Sequence, residues 1–416
     1  MSKIEKLIAE LCPYGVEYKA LGELGQFYGG LSGKSKEDFT DGNAKFITYM
    51  NVFTNLSLKT DVIDKVRIAK NEKQNTIKFG DVLFTGSSET PDECGMSSVL
   101  TKETYELLFL NSFCFGFRLY DKELLMPDFS KYLFRSENIR KQINRTASGV
   151  TRFNVSKKKM EQVTIPLPPL PVQQEIVRIL DNFTELTTEL TAELTAELTA
   201  RKKQYEYYRN QLLCFNNVDI LKPVGDVCLF QNGFAFKSNK FTENGYPILR
   251  IANIQGERID SNNLVYFDKI NYKEKLTQYI VGKGDIVVAM SGATTGKIGY
   301  NDTNLQYYLN QRVGKFIPHS GMIVNRYLYH VLSSKSQEIF QLAGGGAQPN
   351  LSSEQMKKML IPVPSLEEQM RIVAILDRFD TLCKDLTIGL PAEIEARKKQ
   401  YEYYRDKLLT FKEASA

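Results

Sequence analysis

Two glycine-containing segments have some of the residue types of a phosphate-binding loop, but neither has its full spacing. Gly33-Lys34-Ser35 lacks the glycine that should lie five residues before Gly33, because Tyr28 occupies that position. In the segment 292–297, which ends in Gly-Lys, Ile298 stands where a serine or threonine would bind magnesium. The sequence therefore predicts no ATPase site.

Residues suited to metal or nucleophilic chemistry are few and scattered. The chain has two histidines, His319 and His330, and it lacks both a dinucleotide fingerprint and an Asn-Pro-Pro-Tyr-like methyltransferase tetrapeptide. The six cysteines form no CxxC pair, which favours reduced thiols in a cytoplasm over disulfides or a zinc site. They are Cys12, Cys94, Cys114, Cys214, Cys228 and Cys383. We therefore expect no enzyme activity, no metal and no cofactor bound by this chain.

Composition is that of a soluble globular protein with a mildly basic charge. Of 416 residues 42% are hydrophobic and 25% charged, and the net charge is +5. No run of about eighteen apolar residues predicts a membrane span, and the N-terminal segment lacks a signal-peptide pattern, so we expect a cytoplasmic protein. Basic residues cluster at 157–159, 201–203, 357–358 and 397–399. Each cluster alone is typical of a solvated helix face, but their recurrence in both halves favours a basic surface.

The sequence contains an internal repeat. Residues 200–209, Ala-Arg-Lys-Lys-Gln-Tyr-Glu-Tyr-Tyr-Arg, recur unchanged at 396–405, a shift of 196 positions. Upstream, 165–168 resembles 361–364 and 175–181 resembles 371–377 at the same shift. The chain therefore consists of two copies of one unit.

Each copy combines a mixed α/β domain with a long helix. We predict a short N-terminal helix within residues 1–20 that is closed by the residues 12–15. Strands are predicted at 46–49, 62–63, 81–84 and 113–117. A helix is predicted at 132–143, and a short helix capped by Ser156 ends near Gln162. Prolines at 166–171 end this domain. Apolar spacings of three and four then predict one amphipathic helix over 172–213, which includes three tetrapeptides of Thr-Ala-Glu-Leu type.

The second half repeats this plan with more divergence in the globular part. The second long helix is predicted over 366–411, with Pro391 as a kink or break. Helices of this length need a partner helix to bury their apolar face. The predicted fold class is therefore α+β with an internal pseudo-two-fold repeat. Its four segments are 1–165, 166–215, 216–361 and 362–416.

This architecture resembles the specificity subunit of type I restriction-modification systems. The resemblance rests on 165–170 followed by 174–181, on 361–369, and on both copies of the ten-residue repeat. The Thr-Ala-Glu-Leu tetrapeptides resemble the central spacer of the IC subclass. The resemblance covers essentially all 416 residues, although the globular domains match only in the order of their elements.

The resemblance implies two target-recognition domains that read an asymmetric bipartite DNA sequence, held apart by an antiparallel coiled coil. It also implies two modification subunits that use S-adenosylmethionine, and restriction subunits that use ATP and magnesium. Such a subunit is not an enzyme itself. A subunit whose methyltransferase never recruits a restriction subunit is equally compatible with the sequence, and a coiled-coil adaptor without DNA specificity is the alternative from another class.

Polar residues in loops that follow strands are the candidates for DNA contact, because side chains there can reach base edges and phosphates. In the first domain they are Lys34, Lys36, Asn51, Ser87, Ser88, Thr151 and Arg152. In the second domain they are Lys237, Arg250, Asn253, Ser291, Thr294, Lys297 and Gln348. Any one of them could also be an ordinary surface residue, and Asn51 and Asn253 recur in both halves as turn residues would.

The repeated decapeptide supplies candidates for binding partner subunits. They are Arg201, Lys202, Lys203, Tyr205 and Tyr208 in the first copy, and Arg397, Lys398, Lys399, Tyr401 and Tyr404 in the second. The alternative for the tyrosines is packing between the two helices.

Overall fold

The chain folds into two compact units, each of which draws on both long helices. The computed structural model describes residues 3–215, 220–344, 349–384 and 389–414. The first unit comprises Met1–Glu193 together with Ile394–Ala416, and the second comprises Leu194–Glu393. Each unit therefore contains one globular domain, the first part of the long helix that leaves it, and part of the other long helix. The four segments predicted from the sequence remain a prediction.

The helices comprise short ones in the globular domains and long ones that follow each domain. The first long helix is continuous from Leu170 to Leu212, close to the predicted 172–213. Of the second, the structure describes two helices, Leu366–Lys384 and Leu390–Leu408, and Pro391, the predicted kink or break, lies in the first turn of the latter. The helices are α1 (Lys3–Leu11), α2 (Leu21–Leu24), α3 (Tyr49–Thr54), α4 (Pro127–Leu133), α5 (Glu137–Thr146), α6 (Lys157–Met160), α7 (Leu170–Leu212), α8 (Val224–Val227), α9 (Asn325–Ser334), α10 (Ser336–Leu342), α11 (Ser353–Lys358), α12 (Leu366–Lys384) and α13 (Leu390–Leu408).

The first domain is built on two four-stranded sheets. Their orders are β2-β10-β6-β8, which is antiparallel throughout, and β4-β3-β9-β5, in which β3 and β9 are parallel. The strands are β1 (Glu17–Ala20), β2 (Gly25–Gly29), β3 (Ala44–Ile47), β4 (Lys65–Val66), β5 (Thr76–Ile77), β6 (Val82–Thr85), β7 (Ser87–Ser88), β8 (Ser97–Val99), β9 (Leu108–Leu110), β10 (Cys114–Leu119), β11 (Ala147–Ser148), β12 (Phe153–Val155) and β13 (Thr164–Leu167).

The second domain repeats these sheets with additions. Their orders are β15-β24-β21-β22-β18 and β16-β19-β17-β23-β20, and β17 and β23 form the parallel pair equivalent to β3 and β9. The strands are β14 (Leu221–Pro223), β15 (Cys228–Asn232), β16 (Phe241–Thr242), β17 (Tyr246–Leu249), β18 (Glu257–Arg258), β19 (Val265–Phe267), β20 (Ile280–Val281), β21 (Ile286–Ala289), β22 (Ile298–Tyr300), β23 (Tyr307–Leu309), β24 (Val313–Pro318) and β25 (Leu360–Pro362).

The predicted α+β class with a repeated plan is confirmed, with two local errors. The residues 62–63 belong to no strand, and the helix predicted over 132–143 is two helices, α4 and α5. The break occurs at Arg135, whose side chain turns inward and donates to the carbonyls of Ser97 and Phe53 at 2.6 and 2.8 Å. Tertiary hydrogen bonds therefore outweigh local helix propensity at this point.

A central-strand glycine makes room for an aromatic ring in both domains. A Cβ atom on Gly116 of β10 would lie 2.1 Å from the ring of Tyr28 on β2. A Cβ atom on Gly314 of β24 would lie equally close to Phe230 on β15. Because real side chains cannot approach this closely, both positions require glycine.

A buried glutamine fixes each long helix to its own domain. Near the start of α7, Gln173 donates to the carbonyls of Pro168 and Leu124 at 2.8 and 3.0 Å, and accepts from the amide of Met126 at 2.9 Å. Near the start of α12, Gln369 makes the equivalent bonds to Pro364, Met322 and Val324. Both side chains belong to fully buried residues, so each amide satisfies backbone groups that water cannot reach.

In the first unit, α7 and α13 pack as an antiparallel pair. Phe183 lies 5.9 Å from Tyr404, measured between ring centroids, whereas Leu190 further along α7 lines the same groove as Arg397. A hydrogen-bond network joins this pair to α4: the Tyr132 hydroxyl donates to Asp181 at 2.7 Å, and Thr184 links Tyr132 to Tyr401.

The second unit has the same network with a histidine in place of Tyr132. His330 Nε2 lies 2.8 Å from Asp377 Oδ1, and its Nδ1 lies 3.2 Å from the Tyr205 hydroxyl. A carboxylate can only accept, so Nε2 carries the proton and neutral Nδ1 accepts from Tyr205. Arg326 donates to Asp377 and Asp380. Burial lowers the pKa of His330, although the Asp377 hydrogen bond acts in the opposite direction.

We predict that His330 makes the protein less stable below neutral pH. The folded state keeps this ring neutral, whereas in the unfolded chain its pKa returns to about 6.5. Below that pH the unfolded state binds the extra proton, so the free energy of unfolding falls as pH decreases, by up to about 1.4 kcal/mol per pH unit. Urea unfolding at pH 7.5 and 5.5 should show a smaller pH effect in His330→Gln than in the wild type.

The control for this experiment is His319→Gln. His319 is the only other histidine in the sequence; it is partly exposed, with Nδ1 3.2 Å from the Asp226 carbonyl oxygen, so its replacement should leave the pH effect unchanged. Equal pH effects in the wild type and His330→Gln would contradict the prediction.

Candidate nucleic-acid interface

Four predicted contact residues of the first domain lie together in one cleft, which we call the first cleft. Its volume is about 800 Å³. The four residues are Ser87, Ser88, Thr151 and Arg152, and the other lining residues are Tyr49, Met50, Phe53, Glu89, Glu93 and Phe113. The fold therefore brings residues that are distant in sequence into one cleft, and their side chains are polar, charged and aromatic.

Strand pairing and a helix cap form the walls of the first cleft. β12 pairs with β7 so that Asn154 lies opposite Ser87, which brings the loop containing Arg152 to the end of β6. Thr48 caps α3, since its hydroxyl accepts from the amide of Asn51 at 3.3 Å. The first residue of that helix, Tyr49, donates its hydroxyl to the Ser87 carbonyl at 2.8 Å.

The Arg152 guanidinium has a defined orientation in the first cleft. Its Nε and Nη2 donate to the Ser87 hydroxyl oxygen at 3.2 and 3.0 Å. Its Cζ lies 5.4 Å from the ring centroid of Phe113, which is 57% exposed. On another wall, Glu93 Oε2 accepts from the hydroxyls of Ser88 and Thr90 at 3.1 and 2.9 Å.

The two predicted lysines of the first domain have different environments. Lys34 donates to Glu72 and to the Arg67 carbonyl, both at 2.6 Å, and its side chain is only 7% exposed. The Lys34 hydrogen bond, with bonds from Ala69 and Gln74, lowers the pKa of Glu72 to about 2. Lys34 therefore stabilises its loop, whereas Lys36 is exposed.

The two predicted asparagines are buried within their own loops, and their contact with DNA remains a prediction. Asn51 is buried and exchanges hydrogen bonds with the backbone of Lys59. Asn253 is buried and links the amide of Arg250 to the carbonyls of Asp260 and Asn262. Each amide closes its own loop, which is the turn role that their recurrence in both halves had left open.

The second domain places several predicted residues at the equivalent sheet edge. Ser291 bridges Asn350 just as Ser87 pairs with Asn154. Thr294 donates to the Ile251 carbonyl at 3.0 Å, and Arg250 donates to the Asn263 carbonyl at 3.2 Å. These bonds bring Arg250, Ser291 and Thr294 to one region.

The remaining predicted residues of the second domain are less informative. Lys237 is exposed on a separate loop and Lys297 is half-buried. Gln348 lies outside the described residues, and its contact with DNA remains a prediction.

Of the two candidate tyrosines in each decapeptide, one faces inward and the other lies at the surface. Tyr205 is buried against His330, and Tyr401 bonds Thr184. Tyr208 and Tyr404 are 38% and 41% exposed. Interhelix packing therefore accounts for the inner pair.

The basic residues of the decapeptides are mostly solvent-facing. Lys202, Lys203, Lys398 and Lys399 are exposed, while Arg201 donates to Glu197 and Gln204 on its own helix. Arg397 is half-buried and lines the groove between α7 and α13. Their contact with partner subunits remains a prediction.

Sequence reasoning missed the aromatic residues of the first cleft. Tyr49 lies at a helix start, and Phe113 in the turn between β9 and β10. The signal that could have identified Phe113 is an exposed aromatic residue in a strand-connecting turn, since such a ring lacks a core to enter.

Comparison with known proteins shows one family over most of the chain. The family model of the type I restriction modification DNA specificity domain matches twice, over residues 13–200 and 221–396. The specificity subunit of a type I restriction enzyme of Escherichia coli is 38% identical over 268 residues, or 62% of this chain and 65% of that protein. One from Methanocaldococcus jannaschii is 30% identical over 305 residues, or 68% and 70%.

These alignments span about two thirds of the relatives' own length. A chain from a solved structure of a type I restriction-modification system has the same fold, with a TM-score of 0.67 at 18% identity over 95% of this chain and 97% of that one. Among the described residues, no helix is long and apolar enough to cross a membrane.

We predict that the Tyr401 hydroxyl contributes measurably to stability. Tyr401→Phe removes the hydrogen bond to Thr184 and should lower the free energy of unfolding by about 1 kcal/mol. Tyr403→Phe is the matched control, because Tyr403 is 63% exposed and should change stability by a few tenths of a kcal/mol at most. Urea denaturation measures both, and equal effects would contradict the packing role.

Proposed function

Because this chain belongs to the type I restriction-modification DNA specificity family, we propose that it reads an asymmetric bipartite DNA target for such a complex. It assembles with the other subunits and with DNA, and itself catalyses no reaction. One observation carries the proposal: a single scaffold occurs twice, and its equivalent sheet edges carry different side chains. Two copies of one reader with different residues suit two different half-sites.

The near-identical helices suit a different task from the divergent domains. Equivalent surfaces on two repeats can bind two copies of one partner. We therefore assign two modification subunits to the helices, with the exposed lysines and outer tyrosines of the decapeptides at the contact. S-adenosylmethionine belongs to these subunits, and ATP and magnesium to restriction subunits. The reduced cysteines and the DNA partner support a cytoplasmic location.

The continuous helix α7 is the element that sets the distance between the two half-sites. It runs without interruption from Leu170 to Leu212 and contains the tetrapeptide repeats at 187–198. Each tetrapeptide adds about 6 Å of helix and rotates it by about 40° beyond a full turn. A base pair advances about 3.4 Å, so one tetrapeptide corresponds to about two base pairs of unread DNA.

The proposed function predicts a new methylation motif in a suitable host. Methylome sequencing should find an asymmetric bipartite adenine-methylated sequence when this chain is expressed with its modification subunits. The control host expresses the modification subunits alone and should lack the motif. An assembled complex that yields no motif would contradict the proposal and favour the adaptor alternative, which also predicts no salt-dependent DNA affinity.

We call the proposed control of the gap length by the length of α7 its ruler role. It predicts that a change in helix length alters the gap and leaves both half-sites unchanged. Deletion of residues 195–198 should shorten the gap by about one to two base pairs, because the helix loses about 6 Å. Glu197→Gln is the matched control, since it removes the ion pair with Arg201 but retains the helix length. Methylome sequencing reads both variants, and an unchanged gap in the deletion variant would refute the ruler role.

A further inference from the structure

Arg152 differs from Arg118, Arg135 and Arg140 of its domain in how its charge is used. Arg118 pairs with the buried carboxylate of Asp81 at 2.6 Å, and Arg135 and Arg140 donate to backbone carbonyls. Arg152 is exposed and held by the neutral hydroxyl of Ser87, and the described part of the chain gives it no ion pair. Its guanidinium is therefore oriented without being neutralised.

This orientation reduces the cost of binding a ligand. A free arginine side chain loses rotamer entropy when it is fixed, which weakens binding. The Ser87 bonds and the Phe113 ring already restrict the Arg152 guanidinium. A preorganised, planar set of donors suits bidentate recognition of two acceptors at fixed spacing.

The second domain has different residues at the positions equivalent to Arg152 and Phe113. Asn154 and Asn350 pair with equivalent serines, so Gln348 is the sequence counterpart of Arg152. Phe113 follows Asn111, which accepts from its amide at 2.9 Å, and Arg312 follows Asn310 in the same way at 3.5 Å. Arginine in one domain thus takes the place of the aromatic residue of the other, in a turn with the same asparagine hydrogen bond. Divergence at this edge is what two different half-sites require.

The carboxylates beside Arg152 favour a base-pair edge over a phosphate. Glu89 and Glu93 line the same cleft, and carboxylates repel the DNA backbone. In the major groove, however, guanine presents O6 and N7 to an arginine, and its paired cytosine offers an N4 donor to a carboxylate. Glu93, fixed by Ser88 and Thr90, can accept such a bond through its remaining lone pairs.

We propose that Arg152 reads a guanine of the first half-site in the major groove, and that Glu93 accepts from the cytosine paired with it. Ser87 and Phe113 position the guanidinium. This inference rests on the proposed function. It adds to that function one G·C base pair of the target and the two residues that recognise it.

The test combines methylome sequencing of the complete complex with binding to duplexes substituted at each position of the target. For Arg152→Gln, discrimination at one G·C pair of one half-site should fall about tenfold or more, since a bidentate contact is lost. The other half-site should stay unchanged. Arg152→Lys should also relax that pair, because an ammonium lacks the guanidinium's fork. Glu93→Gln should act at the same pair.

The control is Arg145→Gln, which removes one charge from an exposed residue of α5 outside the first cleft. It should leave every base preference unchanged. If Arg152 contacts a phosphate, Arg152→Gln will weaken all sequences equally and lower the salt slope by about one, while Arg152→Lys keeps the motif. That result would overturn the inference alone. A wild-type complex without any motif would overturn the proposed function as well.

Discussion

The buried glutamine at the start of each long helix is the constraint on which each unit depends. Gln173 and Gln369 each satisfy three backbone groups with one amide, inside an apolar junction. A buried polar group left without a partner costs about 1–3 kcal/mol, so a helix that shifted or rotated would lose several such bonds together. The direction in which each helix leaves its domain is therefore fixed by hydrogen-bond satisfaction, in addition to the apolar contacts of residues such as Ile176 and Ile372.

The network behind this junction keeps its geometry while its chemistry changes. Asp181 and Asp377 occupy equivalent positions, but Tyr132 donates to the first and His330 to the second. A hydroxyl and an imidazole N–H can fill the same place because the carboxylate needs only one donor in the correct direction. The two units thus retain equivalent helix pairs while their buried residues diverge.

Local sequence patterns predicted the elements well and the contact residues in part. The helix over 170–212 and most strands follow from apolar spacing and proline placement. The position of polar loop residues after strands predicts DNA contact, and the fold brings four of them into one cleft: Ser87, Ser88, Thr151 and Arg152. Lys34 and Asn51 meet the same criterion. Their side chains, however, form hydrogen bonds with Glu72 and Lys59, and these contacts become apparent only in the folded structure.

The sequence by itself determined the duplication, the fold class and the family, because periodicity and repetition are properties of the chain read in order. Tertiary structure decided which polar groups remain available for a ligand. Arg135 and Arg152 are the same residue type in the same domain, yet one donates to backbone carbonyls and the other lies over an exposed ring. The partners that distinguish them are distant in sequence, so their environments arise only when the strands and helices pack.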